Sequence, residues 1–293
     1  MEKVSKEHVI FEMNKDNKPV LSVDSGADVI FETLDCFSGE VQSEEDTVSN
    51  IDFSKVNPAT GPLYVNDAEV GDTLKVTINR IDIEDKGAVL TAPGLGLLAD
   101  RIEKEETAFA EVTEDATLYK GHSIPLRKMI GVIGTAPAGD GVNTGTPHDH
   151  GGNLDTILIG EGASLYLPVN VEGALLAMGD MHSSMGDGEI MGSGLEVAGE
   201  IEVSVEVVKD KELPLPLVET DELYATLASR ETMEEASKVA LNNMVDLIQA
   251  KTDLTFNQAG MLLSLAGDLK VSQAVNPNKT MRVELSKAVL EKK

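Results

Sequence analysis

Tryptophan is absent from this 293-residue chain, and aromatic residues make up only 3% of it. A core without large rings has to be packed from Val, Ile, Leu, Ala and Met. Cysteine occurs once, as Cys36, which rules out an intrachain disulfide and excludes a metal centre built on cysteines. Basic residues are scarce too: 24 Lys and Arg stand against 51 Asp and Glu, a net charge of −27. A surface this negative repels phosphate backbones and anionic lipid, so neither nucleic acid nor a membrane surface is expected as a partner. It suits a neutral or cationic small substrate, a bound cation, or plain solubility. No apolar run approaches 18 residues, and the opening MEKVSKEHVIFEMNKDN lacks the apolar stretch and small-residue cleavage site of a signal peptide. A soluble, cytoplasmic protein is the expectation.

What is present reads as ordinary globular sequence, 41% hydrophobic and 26% charged, long enough for one large domain or two that share a core. Residues 1–210 carry short alternating runs bounded by Gly, Pro, Asn or Asp, at 20–23, 28–33, 73–83, 164–169, 174–178 and 200–208. The period of two is cleanest in IEVSVEVV (201–208). The character changes at KDKELPLPLVET (209–220), an extended crossing segment. SRETMEEASKVALNNMVDLIQAKTD (229–253) then reads as an amphipathic helix, with Ser229 and Thr232 offering the N-cap and Met233, Ala236, Val239/Ala240, Met244 and Leu247/Ile248 forming one stripe. A second helix over 255–268 is capped by Thr255 and stopped near Gly267, and strands follow at 269–275 and 280–285. Strands first and helices later give an α+β class. The β-rich, sandwich- or barrel-like region spans 1–210, and a smaller C-terminal α+β region, 211–293, packs on it.

Two segments are crowded with ligand atoms. GDGVNTGTPHDHGGNLDT (139–156) is too rich in Gly, Asp, Asn and His for a buried strand. GDMHSSMGDGE (179–189) follows an apolar strand, and in extended backbone Asp180 and His182 share a face, as do Asp187 and Glu189. Three of the five histidines lie between 148 and 182. An Asp-Gly turn is a common hairpin connector and a lone His is more often a satisfied polar group, but two such segments about 30 residues apart, holding most of the histidine, outweigh that reading. Imidazole with carboxylate is the donor set of catalytic Zn²⁺, whereas carboxylates and carbonyls alone suit Ca²⁺. Asp35, in VIFETLDCFSGEV (29–41), interrupts a strand with a charge and reads as a carboxylate capping a turn, with Cys36 beside it a small buried hydrophobe. PGLGLLAD (93–100) holds a GxGxxA pattern without a convincing helix, and no nucleophile elbow, phosphate loop or CxxC pair occurs.

Several long segments resemble the acetamidase/formamidase family: FETLDCFSGEV (31–41), VNPATGPLYVNDAEVGDTLKV (56–76), MIGVIGTAP (129–137), HGGNLDT (150–156) and LYLPVNVEGALLAMGDMHSSMGDGE (165–189). They keep the family's order and span most of residues 8–210. The family reads Pro-Gly-Pro-His-Gly-Gly-Asn-Met-Asp where this chain has TPHDHGGNLD, so His150 takes the family histidine's place and His148 is extra. The resemblance implies hydrolysis of a short linear amide to a carboxylate and ammonia. It implies a divalent metal, zinc first and calcium second, held by His150, Asp180, His182 and Glu189. Asp35, Asp187 or Asp155 would move the proton, and Asn153 with the Gly151 and Gly152 backbone would face the developing oxyanion. A homodimer or higher homo-oligomer is implied as well. The rival readings are a β protein that holds a structural calcium without catalysis, and an amidase for a different small amide.

Overall fold

The computed structural model describes residues 1–209 and 212–291. The expected α+β, strand-rich architecture is what the chain adopts, as two large sheets and a helical layer. The first sheet has nine strands in the order Glu2–Val4, Ala27–Thr33, Gly199–Val208, Thr73–Ile83, Ser164–Pro168, Leu217–Glu219, Leu223–Arg230, Lys279–Ser286, Asp268–Gln273. The second has eleven, centred on Leu176–His182, which pairs with Met129–Gly134, Ala59–Val65 and Glu196–Val197. Phe31, Val76, Ile78, Ile201 and Val203 from the first sheet share one apolar cluster with Leu63, Ile130, Ile133, Met178 and Met181 from the second. The sheets therefore enclose a common aliphatic core, as the lack of Trp requires.

Period-two alternation was legible where one strand face is wet. In Gly199–Val208, Ile201, Val203 and Val205 are buried and their neighbours are not. It fails where both faces are covered: Met129–Gly134 and Leu176–His182 are buried at every position. The run expected at 174–178 instead becomes a strand from Leu176 to His182, with Ala174 and Leu175 in left-handed backbone ahead of it.

The first helix, Met233–Lys251, is capped by Thr232, whose hydroxyl accepts the Glu235 N–H. Ala236, Ala240, Met244, Leu247 and Ile248 of the expected stripe are buried, whereas Met233 is exposed. Ser229 does not cap it. Ser229 and Arg230 end the strand Leu223–Arg230, which pairs residue for residue with Lys279–Ser286, and the Ser229 hydroxyl bonds Thr280. The second helix, Phe256–Ala266, has the Thr255 cap completed by Gln258 as a reciprocal capping box.

The strands between residues 217 and 286 belong to the same nine-stranded sheet as strands between residues 2 and 208. Side-chain alternation gives the two regions separate cores. On 217–228, Val218, Ala225 and Leu227 face the common core, while Leu217 and Ala228 join Met244, Ile248 and Leu263 under the helices. PGLGLLAD folds as a turn leading into the single 3₁₀ turn Ala99–Arg101, so no helix N-terminus stands there to hold a dinucleotide. Among the described residues no helix is long and apolar enough to cross a membrane.

Candidate active site

The strand Leu176–His182 sets the site. Its last residue, His182, is fully buried and lies directly across the ladder from Glu196, so the two side chains share a face at cross-strand distance. His182 Nε2 is 3.0 Å from Glu196 Oε2 and 3.6 Å from Asp180 Oδ1. These approaches lack hydrogen-bond alignment, and both ring nitrogens of His182 remain without a bonded partner among the described residues. Asp180 reaches the cluster through a left-handed backbone, φ 56°, which breaks the regular alternation of the strand.

Opposite Asp180 stands Gly131, and only a glycine fits there. A Cβ at this position would sit 2.6 Å from both Asp155 Oδ1 and Asp180 Oδ2, so the gap brings the two carboxylates to one place. Asp155 follows the strand Gly151–Asn153, with φ 39°. Its Oδ2 accepts a hydrogen bond from Asn276 Nδ2 at 2.6 Å, and the same amide group donates to the Asn153 carbonyl. Glu189 arrives from the loop after the strand, at φ 49°. That loop is tied to the C-terminal hairpin by Gly188, which donates to Ser272 O and accepts from Ala274 N. Left-handed backbone at Asp155, Asp180 and Glu189 alike is the kind of local strain that marks functional sites, at roughly 1 kcal/mol or more per residue.

Ligand atoms of Asp155, His182 and Glu189 lie within 4.8 Å of one another, and so do those of Cys36, Asp180 and Glu196. All six residues are buried. Asp155 Oδ1, Glu189 Oε2 and Glu196 Oε2 have no hydrogen-bond partner among the described residues. Burying unpaired carboxylates is expensive, and the electrostatics show it. Burial, reinforced by the Asp180 charge, raises Asp155 to about 7. Burial and then Asp155 push Glu189 well above the carboxylate range, and burial raises Glu196 as well. Burial works against a charged His182, but Glu196 and Asp180 outweigh it and hold the imidazolium well past its ordinary range. Such a cluster takes up protons or takes a cation.

Of the residues expected from the sequence, Asp155, Asp180, His182 and Glu189 come together. His150 does not join them: it is buried beside His148, ring centroids 6.2 Å apart, and burial followed by the His148 charge lowers it to about 4. Its Nε2 is unpartnered among the described residues. Asp187 points the other way, with both oxygens held by Arg282 at 2.7 and 2.6 Å. Asp35 does cap a turn, its Oδ1 accepting from Phe37 N and Gly39 N, and burial raises its pKa with the Asp180 charge adding to it. The Gly151 N–H is committed to the His148 carbonyl, and Gly152 pairs with Ile133 in the ladder, which leaves Asn153, buried with an unpartnered Oδ1.

Two members were not anticipated. Glu196 sits in a two-residue strand with no motif around it, and only the register that places it across from His182 would have revealed it. Cys36 is the small buried residue expected, packed with Phe37, Val41 and Leu90. Its thiol nevertheless meets Asp180 and Glu196, an arrangement that counting cysteines had set aside. Burial and then Glu196 push that thiol well up, so it is no free thiolate nucleophile.

A family model described as the Acetamidase/Formamidase family matches residues 4–140 and 87–292. The fold superposes with a TM-score of 0.95 on an acetamidase of Bacillus halodurans, at 49% identity and 97% coverage of both chains. It matches a predicted acetamidase/formamidase of Thermoanaerobacter tengcongensis equally well, with TM-score 0.95, 44% identity, and 99% of this chain and 96% of that one covered. An acetamidase of Mycolicibacterium smegmatis is 35% identical over 139 residues, 43% of this chain and 32% of that protein. The chain spans less than two thirds of the length of the curated relatives it matches. On the extent of these matches, the chain belongs to the acetamidase/formamidase family.

Proposed function

We propose that the chain is a metal-dependent hydrolase of short linear amides, releasing a carboxylate and ammonia. The observation that carries this reading is the buried, unsatisfied cluster of one imidazole and several carboxylates in a member of this family. The donor set fits a divalent cation: every unpartnered atom in it is a nitrogen or a carboxylate oxygen, a mixture that zinc accepts. His182, Asp180 and Glu189 would hold the ion. When bound, it would supply Lewis acidity toward the amide carbonyl and toward water.

The protein's own groups do the rest. Glu196 lies 3.0 Å from Nε2, in reach to orient the His182 ring once the imidazole is engaged, a role that usually tunes a ligand's basicity. Asp155, anchored through Oδ2 by Asn276, keeps Oδ1 free and near neutrality. It can take a proton from water at Oδ1 and return it to the departing nitrogen. Asn153, beside it on the chain, is the nearest amide able to steady developing charge. A homodimeric or larger assembly in the cytoplasm completes the reading.

The test is ammonia release from formamide and acetamide by chelator-treated protein, resupplied with Zn²⁺ or Ca²⁺. Turnover restored by a metal supports the reading. Calcium that raises the melting temperature without any ammonia release would favour a structural ion site instead.

A further inference from the structure

A cavity of about 370 Å³ opens beside the cluster. Its wall is mostly hydrocarbon, from Val89, Ala110, Tyr119, Ile124, Met185 and Leu195. It meets the cluster at three points. Glu189 is itself part of the wall. Gly194, another wall residue, faces the His182 ring so closely that a Cβ there would lie 2.7 Å from Nδ1. Ser193 donates from the wall to Glu196 Oε1 at 3.1 Å.

Acetamide does not account for a space of this size. A water's share of liquid volume is about 30 Å³, which puts acetamide on the order of 90 Å³, whereas cavities of roughly 300–1,000 Å³ receive larger organic ligands. Nor is the wall built for a polar acyl group. Thr117 is bonded to the hydroxyls of Ser183 and Ser184, Ser193 to Glu196, and Asp187 to Arg282. Among the described residues that line it, the charged ones are Glu189 and Asp187, the latter already paired with Arg282, on a protein of net charge −27.

We infer that this cavity is the acyl subsite, and that the preferred substrates are primary amides carrying an uncharged, medium-length aliphatic or aryl acyl group. The inference rests on the amidase reading above and extends it to acyl groups longer than acetyl. The apolar wall removes the acyl chain from water while the amide end reaches Glu189. Each methylene buried this way is worth up to about fourfold in kcat/KM. An acyl group ending in a carboxylate gains nothing from the wall.

The experiment measures ammonia release by the zinc-loaded protein from acetamide, butanamide, hexanamide, benzamide and succinamate. The expected result is kcat/KM rising from acetamide to hexanamide by roughly tenfold or more, with benzamide close to hexanamide and succinamate poorest. Val89→Phe, which fills the cavity, should cut the hexanamide-to-acetamide ratio about tenfold. Ile124→Trp, on an exposed strand where folding is less at risk, should cut it in the same direction. Acetamide turnover with a flat or falling chain-length series would overturn the subsite and leave the amidase reading standing. An unchanged ratio in a folded Ile124→Trp protein would also overturn it. Ammonia from none of these amides would overturn both.

Discussion

Charge is buried in two neighbouring places in this molecule, and the two are handled in opposite ways. At Arg282, 1% exposed, the guanidinium grips both oxygens of Asp187, bonds Glu284 Oε1 at 2.7 Å and reaches Val271 O and Ser272 Oγ, and Lys270 takes the other oxygen of Glu284. At His182, equally buried, both ring nitrogens and three surrounding carboxylate oxygens lack hydrogen-bond partners among the described residues. The two places are two residues apart along the loop, since Asp187 belongs to the first and Glu189 to the second. A satisfied network fixes shape, and an unsatisfied one is kept for something that binds. The loop is anchored at one end so that Glu189 can be held at the other.

That contrast predicts that removing a charge should cost activity in one place and stability in the other. The largest effect is expected for His182→Ala, a fall in kcat on the order of 10³-fold or more, read by ammonia release from protein shown to be folded by calorimetry. Loss of stability without loss of turnover would break the contrast. Arg282→Met leaves Asp187 and Glu284 short of a buried partner and should destabilise by about 3 kcal/mol, seen as a shift in the denaturant midpoint. Asn276→Ala, which frees Asp155 Oδ2, should lower kcat by roughly 10–100-fold with the fold intact.

The smallest effect is a pH dependence, and its sign is specific. Asp155, Glu189, Glu196 and His182 all have folded-state pKa values above their ordinary ones. Their stabilisation is full below the unfolded values and is lost as pH rises through the folded ones. For Asp155, at about 7, the window from pH 6 to pH 8 removes about 1 kcal/mol. His150, lowered to about 4, acts the other way and loses stability as pH falls below its ordinary value. Metal-free protein should therefore melt higher at pH 6 than at pH 8, and saturating Zn²⁺ should flatten or reverse that order. Equal melting at both values without metal would contradict the account of the cluster.

The sequence disclosed this site unevenly, for physical reasons. The aliphatic core, the helix caps at Thr232 and Thr255, and the strand at 201–208 were legible because local chemistry decides them. Asp180 and His182 were legible as a pair on one strand. Asp187 and Glu189 were paired by the same spacing argument, but left-handed backbone at Glu189 and the pull of Arg282 separate them. Glu196, Cys36 and Gly131 reach the cluster only through strand register and topology, and one sequence does not state these. His150 shows the converse, a residue singled out by resemblance that the fold places beside His148 and outside both ligand groups.

The most direct test of the central claim is calorimetric titration of Zn²⁺ into chelator-stripped protein, run on the wild type, His182→Ala and Arg282→Met. The account predicts uptake at one site with release of protons, lost in His182→Ala and retained by folded Arg282→Met. Zinc uptake that survives His182→Ala, or ammonia release by protein shown to contain no metal, would contradict it.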